Sequence, residues 1–313
     1  MAFLRRQTPD ARRQTPKGPP AKVWVQAARL RTLPAAVVPV LVGSAAAYHD
    51  LVFDWRAFSL ALVGALAIQV AANFANDASD AVRGADPGDR IGPPRMVASG
   101  VVGARQMWAA TIIAIGIATA AGIGLTLLAG WVVVIIGVAS IAAMLGYVGG
   151  PIPYGYRGLG ELFVFLFFGL VATGGSRLVH DGSAPGWVWL CGIPVGMLAS
   201  AILVANNLRD FATDGRVGKR TLAVILGLGQ TRRVYSALTW GAIALTVALA
   251  AFQVIPVTTL TVLLALPLVP RLARIANNQE GVGLVPLLAG TAQLHLIFGL
   301  LLSGGIVAAR LLR

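Results

Sequence analysis

Two groups of carboxylates stand out in a chain that has few of them. The 313 residues include 12 Asp and Glu, and six of these fall in two short segments. "NFANDASDAVRGADPGDR", from Asn73 to Arg90, carries Asp77, Asp80, Asp86 and Asp89. "NNLRDFATDGRVGKRT", from Asn206 to Thr221, carries Asp210 and Asp214. Crowded carboxylates repel one another unless a cation lies among them. Hard oxygens of this kind suit Mg²⁺, which keeps several waters and takes one or two carboxylates together with substrate phosphates. Nearby cations, Arg83, Arg95, Lys219 and Arg220, have the chemistry to hold a diphosphate.

The spacing predicts how these groups are presented. Asp77 and Asp80 are three residues apart and Asp210 and Asp214 four, so on helices each pair shares a face. Gln69, Asn73, Asn76 and Asp80 continue one polar stripe back into an apolar segment. Ser200, Leu203, Asn207, Asp210 and Asp214 do the same in the second. Polar side chains in a membrane helix face a bundle interior or a wet cavity. The two acidic ends are therefore expected to meet across a central cavity.

The elements that must position them are membrane helices. The chain is 57% hydrophobic and 12% charged, with a mean hydropathy of +0.78. Ordinary soluble domains are about one-quarter charged. Nine apolar stretches are long enough to be read as spans, at about 33–49, 57–79, 105–127, 131–149, 159–178, 187–208, 234–253, 256–275 and 285–309. The fold class predicted is an all-α integral membrane protein, about nine transmembrane helices around a cavity. Residues 1–22 read as a disordered basic tail and 23–313 as a single transmembrane domain. No cleavable signal peptide is evident.

A net charge of +13 raises nucleic acid as a partner, but the placement of the charge speaks against it. With the N-terminus inside, all of the 25 Lys and Arg except Arg56, Arg177, Arg310 and Arg313 fall on one side. Basic residues gather on the cytoplasmic side of membrane proteins. The reading is a multi-pass protein of the cell membrane, with N-terminus and acidic clusters cytoplasmic and C-terminus outside. Cys191 is alone, so no disulfide framework exists. His49 and His180 are expected to be solvated on the far side, and His295 buried and hydrogen-bonded; their separation offers no zinc site.

At the acidic segments the chain resembles the UbiA superfamily of membrane prenyltransferases. "NDASDAVRGAD", Asn76 to Asp86, is similar to its first Asp-rich motif, and "NNLRDFATDGRVGKRTLA", Asn206 to Ala223, to its second. Within the superfamily the likeness is to the menaquinone branch, which prenylates 1,4-dihydroxy-2-naphthoate. "RLRTLPAAVVPVLVG", "GPIPYGYRGLGELFVFLFFG" and "GKRTLAVILG" extend it from about Trp24 to the last span. One departure is that many members place an Asp four residues after the second Asp of the first motif. Gly84 stands there, and the third acid is Asp86.

The resemblance implies transfer of a polyprenyl chain from an allylic diphosphate to an aromatic acid, with decarboxylation. It implies two Mg²⁺ ions, one on Asp77 and Asp80 with Asp86 nearby, the other on Asp210 and Asp214. Asn73, Asn76 and Asn207 would position ligands or waters, and Arg83, Arg95, Lys219 and Arg220 would stabilise the departing diphosphate. An allylic cation needs shielding from water, and the π faces of Tyr147, Tyr154, Phe163 and Phe167 are candidates to stabilise it. Arg157 is the candidate for the acceptor carboxylate, with Glu161 paired to it four residues on. The partners implied are the two substrates and membrane lipid. Rival readings are another acceptor (4-hydroxybenzoate, homogentisate or a phosphosugar), or a transporter. A transporter's acids belong near the bilayer midplane, whereas these sit at span ends.

Overall fold

The computed structural model describes residues 19–84, 91–92, 94–149 and 153–313. All regular structure among them is helical. α1 (Ala21–Ala28) leads through a short 3₁₀ turn into α2 (Pro34–His49), followed by α3 (Trp55–Val82), α4 (Ala104–Ala129) and α5 (Val132–Val148). The next span, Gly160–Asp181, consists of α6 (Gly160–Val164), a π-helical segment (Phe165–Val171) and α7 (Ala172–Asp181). α8 (Gly186–Arg216), α9 (Leu222–Ala251), α10 (Leu268–Asn278) and α11 (Val285–Leu311) complete the bundle.

Among the described residues, six helices are long and apolar enough to cross a membrane, or up to eight if two bent pairs each count as one span. Nine crossings were expected. The shortfall falls on the stretch 131–149, which forms the 17-residue α5. The bends have local causes. Ala21–Thr32 meets Pro34–His49 at 56°, and Val257–Ala265 meets Leu268–Asn278 at 44°. Pro34 and Pro267 stand at these joints; proline donates no N–H and restricts the residue before it.

The bundle is apolar outside as well as inside. Ile112, Ile113 and Ile117 on α4 are 66%, 65% and 49% exposed, which suits lipid and not water. α8 lies at the centre, packed on α9, α11 and the π-helical segment. α2 lies between α7 and α11, and α3 runs along α4. Glycines permit the closest approaches. Gly192 and Gly196 on α8 meet Gly169, where an added Cβ would stand 2.5 Å from Gly196 Cα. Small residues four apart are a common device for close membrane-helix contact.

At the end of the bundle away from the acidic clusters, several polar groups pair with one another. Buried Arg177 donates to Asp50 and Asp181. His180 accepts the Asp54 N–H at 3.0 Å and bonds Ser44 Oγ at 3.1 Å. It therefore carries its proton on Nε2, and it is half-buried rather than solvated. His49 is also largely sheltered, paired with Asp50 and set against Trp187. Hydrogen bonds from Arg56 hold the Asp54 carboxyl low, at about 2. Cys191 is a buried packing residue. His295 is fully buried, but neither ring nitrogen finds the hydrogen bond expected of it.

Candidate active site

The polar stripe of α3 faces a cavity of about 330 Å³, lined by Gln69, Asn73, Asn76 and Asp80. The lining continues down α3 to Ala61, roughly 28 Å from Asp80 at about 1.5 Å per residue. Its lower walls are apolar and its mouth is polar.

The stripe builds the mouth as well as lining it. Asn73 Nδ2 donates to Ala28 O at 2.8 Å and Thr32 Oγ1 at 3.0 Å, and Gln69 Nε2 donates to Thr32 Oγ1 at 3.1 Å. These bonds clamp the elbow between α1 and α2. There Arg29 adopts φ 51°, ψ 66°, a left-handed conformation uncommon outside glycine, and lines the cavity.

Asp77 and Asp80, one turn apart, have separate partners. Asp77 accepts the backbone N–H groups of Met96 at 3.0 Å and Val97 at 2.9 Å. That docks the segment carrying Arg95 against α3. Asp80, 2% exposed, accepts from Arg95 Nη2 at 3.0 Å and the Tyr156 hydroxyl at 2.7 Å, with Lys219 Nζ at 3.6 Å. Lys219 and Arg83 also lie over the Tyr156 ring, at 5.0 and 5.5 Å.

Lys219 joins the two clusters. Its backbone N–H donates to Asp214 O at 2.9 Å, which turns the end of α8 back toward Asp80. Asp210 is held by its neighbour Arg209, at 2.8 Å from Nε and 2.7 Å from Nη2. Below the mouth, Tyr154 stacks on Phe163 with centroids 4.0 Å apart, and Phe167 extends the column. The Tyr154 hydroxyl donates to Ala143 O at 2.7 Å, and burial pushes it above the ordinary phenol range.

Of the residues expected at the site, Asn73, Asn76, Asp80, Arg95, Tyr154, Asn207 and Lys219 line the cavity. Arg83, Arg157 and Arg220 are exposed and do not. Asp77, Asp210 and Asp214 are buried behind its wall. Asp86 lies outside the described residues. Glu161 does not pair with Arg157; it accepts from Asn207 Nδ2 at 2.7 Å. Arg29, Tyr156 and Arg209 were missed. Tyr156 sits two residues from the singled-out Tyr154, and Arg209 immediately precedes Asp210 in its own motif, but neither position has a signal in spacing.

Among the described residues no three acids, histidines or cysteines converge as a metal cage. The donors at the mouth, Asp80, Asn76, Asn206 and Asn207, are hard oxygens suited to Mg²⁺ shared with phosphate.

The sequence profile of the UbiA prenyltransferase family matches residues 36–308. The chain is 39% identical to the 1,4-dihydroxy-2-naphthoate octaprenyltransferase of Mycobacterium leprae (strain TN), across 91% of this chain and 96% of the relative. It is 36% identical to the enzyme of the same name from Escherichia coli (strain K12), across 91% and 95%. Its fold is similar to a UbiA homolog from Aeropyrum pernix K1, with a TM-score of 0.67 at 18% identity, covering 90% of this chain and 98% of that one. It also matches a UbiA homolog from Archaeoglobus fulgidus bound to GPP and Mg²⁺, with a TM-score of 0.63 at 13% identity, covering 91% and 99%. With its family profile, helical bundle and polar-mouthed cavity in agreement, the chain belongs to the UbiA prenyltransferase family.

Proposed function

We propose that this protein transfers a polyprenyl chain from its allylic diphosphate to 1,4-dihydroxy-2-naphthoate, releasing CO₂ and diphosphate and leaving a prenylated naphthoquinol. The observation that carries the reading is the join between Asp80, Arg95 and Lys219 at the head of a long apolar cavity. A diphosphate head fits that mouth and an isoprenoid tail fits the walls below.

Each group has a part. Arg95 and Lys219 stabilise negative charge on the departing diphosphate, a fixed electrostatic contribution of the kind that usually dominates catalysis. Asp80 holds both cations in place. Asp80 and Asn76 on one side of the mouth, and Asn207 with Asp214 behind it on the other, would hold Mg²⁺, which would supply Lewis-acid neutralisation of the leaving group. We read two ions, one at each acidic segment, with Asp77 and Asp210 fixing the surrounding cations and Asp86 near the first. Arg83 and Arg220 steer the anionic substrate from the rim. The aromatic column of Tyr154, Phe163 and Phe167 faces the allylic cation and keeps water from it. Arg29 inside the cavity is the cation for the acceptor carboxylate, and Arg157 guides its entry. The electron-rich ring attacks through the carbon bearing the carboxylate, and loss of CO₂ restores aromaticity.

The orientation we assign places N-terminus and mouth in the cytoplasm of the cell membrane, with α5 as an additional, short crossing. Because Cys191 is the sole, buried cysteine, single cysteines introduced at each end can test this by labelling from one side. Labelling of the mouth only from outside the cell overturns it.

The decisive assay uses purified protein in nanodiscs with octaprenyl diphosphate, Mg²⁺ and each aromatic acid in turn. We expect a decarboxylated product from dihydroxynaphthoate alone. Equal turnover of 4-hydroxybenzoate or homogentisate, or none with any acceptor, overturns the assignment. Lys219→Ala should raise KM for the diphosphate about tenfold, the loss of one charge-assisted contact worth about 1.4 kcal/mol. An unchanged KM removes Lys219 from the diphosphate site.

A further inference from the structure

Glu161 has no part in the reaction as described, yet its setting is unusual. It opens α6 and is 8% exposed. Oε1 accepts from Asn207 Nδ2 at 2.7 Å, whereas Oε2 is buried with no hydrogen-bond partner. Ser200 Oγ donates to its backbone oxygen at 2.9 Å, so this end of α6 is fastened to α8 at two levels. A buried carboxylate held by one neutral amide is a poor stabilising device; an apolar residue of similar size would serve packing better. Buried polar groups left incompletely satisfied in this way tend to mark function.

Its single partner points to the role. Asn207 lines the cavity, on the same helix as Asp210 and Asp214. An amide offers an NH₂ on one side and a carbonyl oxygen on the other. An ionised carboxylate only accepts hydrogen bonds, so Glu161 claims the NH₂ side. If protonated on Oε2, it still accepts through Oε1. Either way the Asn207 carbonyl oxygen is turned from Glu161.

We infer that Glu161 is a positioning residue that fixes the Asn207 amide so that its oxygen, and not its NH₂, is offered to a divalent cation bound with the diphosphate. An NH₂ turned toward the same point would repel the cation. The inference rests on the reading of the mouth as a metal–diphosphate site.

The test compares binding of Mn²⁺ by electron paramagnetic resonance, with inorganic pyrophosphate present and no prenyl substrate. Glu161→Gln puts a donor opposite Asn207 and permits the amide to turn over; Mn²⁺ binding should weaken about tenfold. Adding Asn207→Asp restores an acceptor pair whose two oxygens are equivalent, so orientation no longer matters. The double variant should recover to within about threefold of wild type. Asn207→Asp alone controls for the charge it adds: a role in packing alone predicts the same gain from that substitution in either background, whereas the orientation role predicts a larger gain in the Glu161→Gln background. Unchanged binding in Glu161→Gln, or a double variant as weak as the single one, overturns the inference. Wild-type protein that binds no Mn²⁺ overturns the underlying reading of the mouth as well. Should Glu161→Gln fail to accumulate folded, Glu161→Asp carries the test: its shorter reach should cost about threefold, and unchanged binding overturns the inference.

Discussion

Asp80→Asn is expected to lower kcat/KM by about a thousandfold or more while folded protein still reaches the membrane. The substitution keeps size and shape but removes the charge that Arg95 and Lys219 share. One Asn oxygen can still accept a hydrogen bond, but the NH₂ beside it faces two cations. The mouth then loses both a candidate metal ligand and the anchor that aims two diphosphate-binding groups. Loss of a single preorganised electrostatic contact commonly costs 10²–10³, and about 1.4 kcal/mol accompanies each factor of ten. Asp80 serves several such contacts at once, so the upper end applies. Because Arg95 is also buried, breaking this pair destabilises the mouth by roughly 3–5 kcal/mol. Turnover should therefore be measured beside a thermal melt. Activity within tenfold of wild type would remove Asp80 from the centre of the site.

Gly196→Val should act on the whole bundle. An added Cβ at Gly196 meets the Phe165 carbonyl oxygen at 2.8 Å and Gly169 Cα at 3.0 Å. Those are backbone atoms and cannot rotate away, so α8 and the π-helical segment must separate. Overpacking of flexible cores costs about 1–3 kcal/mol; against fixed backbone we expect the top of that range or beyond. The cavity lies between these same helices, so the separation also distorts its aromatic wall. Gly196→Ala should show a smaller loss in the same direction. The readout is the yield of monodisperse protein in detergent and its melting temperature. A valine variant that melts with wild type would mean that this crossing is looser than described.

The parts of the site that follow helical geometry were legible in the sequence. Gln69, Asn73, Asn76 and Asp80 repeat every three or four residues, and all line the cavity. What separates Asp77 from Asp80 was not legible. They lie about 60° apart on one helix, and only the docking of Met96 and Val97 commits Asp77 to the backbone. That contact depends on how a loop returns to α3, which no local pattern encodes. Arg157 and Tyr156 are neighbours, yet Tyr156 reaches Asp80 and Arg157 points outward. A 3₁₀ turn at Tyr154–Tyr156 decides between them. The nine expected spans do not all appear as long straight helices, for a related reason. Hydropathy reports apolar length, but it does not report bends at Pro34 and Pro267 or a helix as short as α5.

The π-helical segment Phe165–Val171 makes the Gly160–Asp181 span a vernier. Such a turn holds one residue beyond the α-helical repeat, so the two halves of the span are out of phase by about 100°. The upper half aligns Glu161 with Asn207, and the lower half aligns Arg177 with Asp50. A uniform helix of the same sequence could satisfy one alignment at a time. Deleting any one residue there would restore regular pitch and break one of the two engagements, so this wall should be intolerant of length changes.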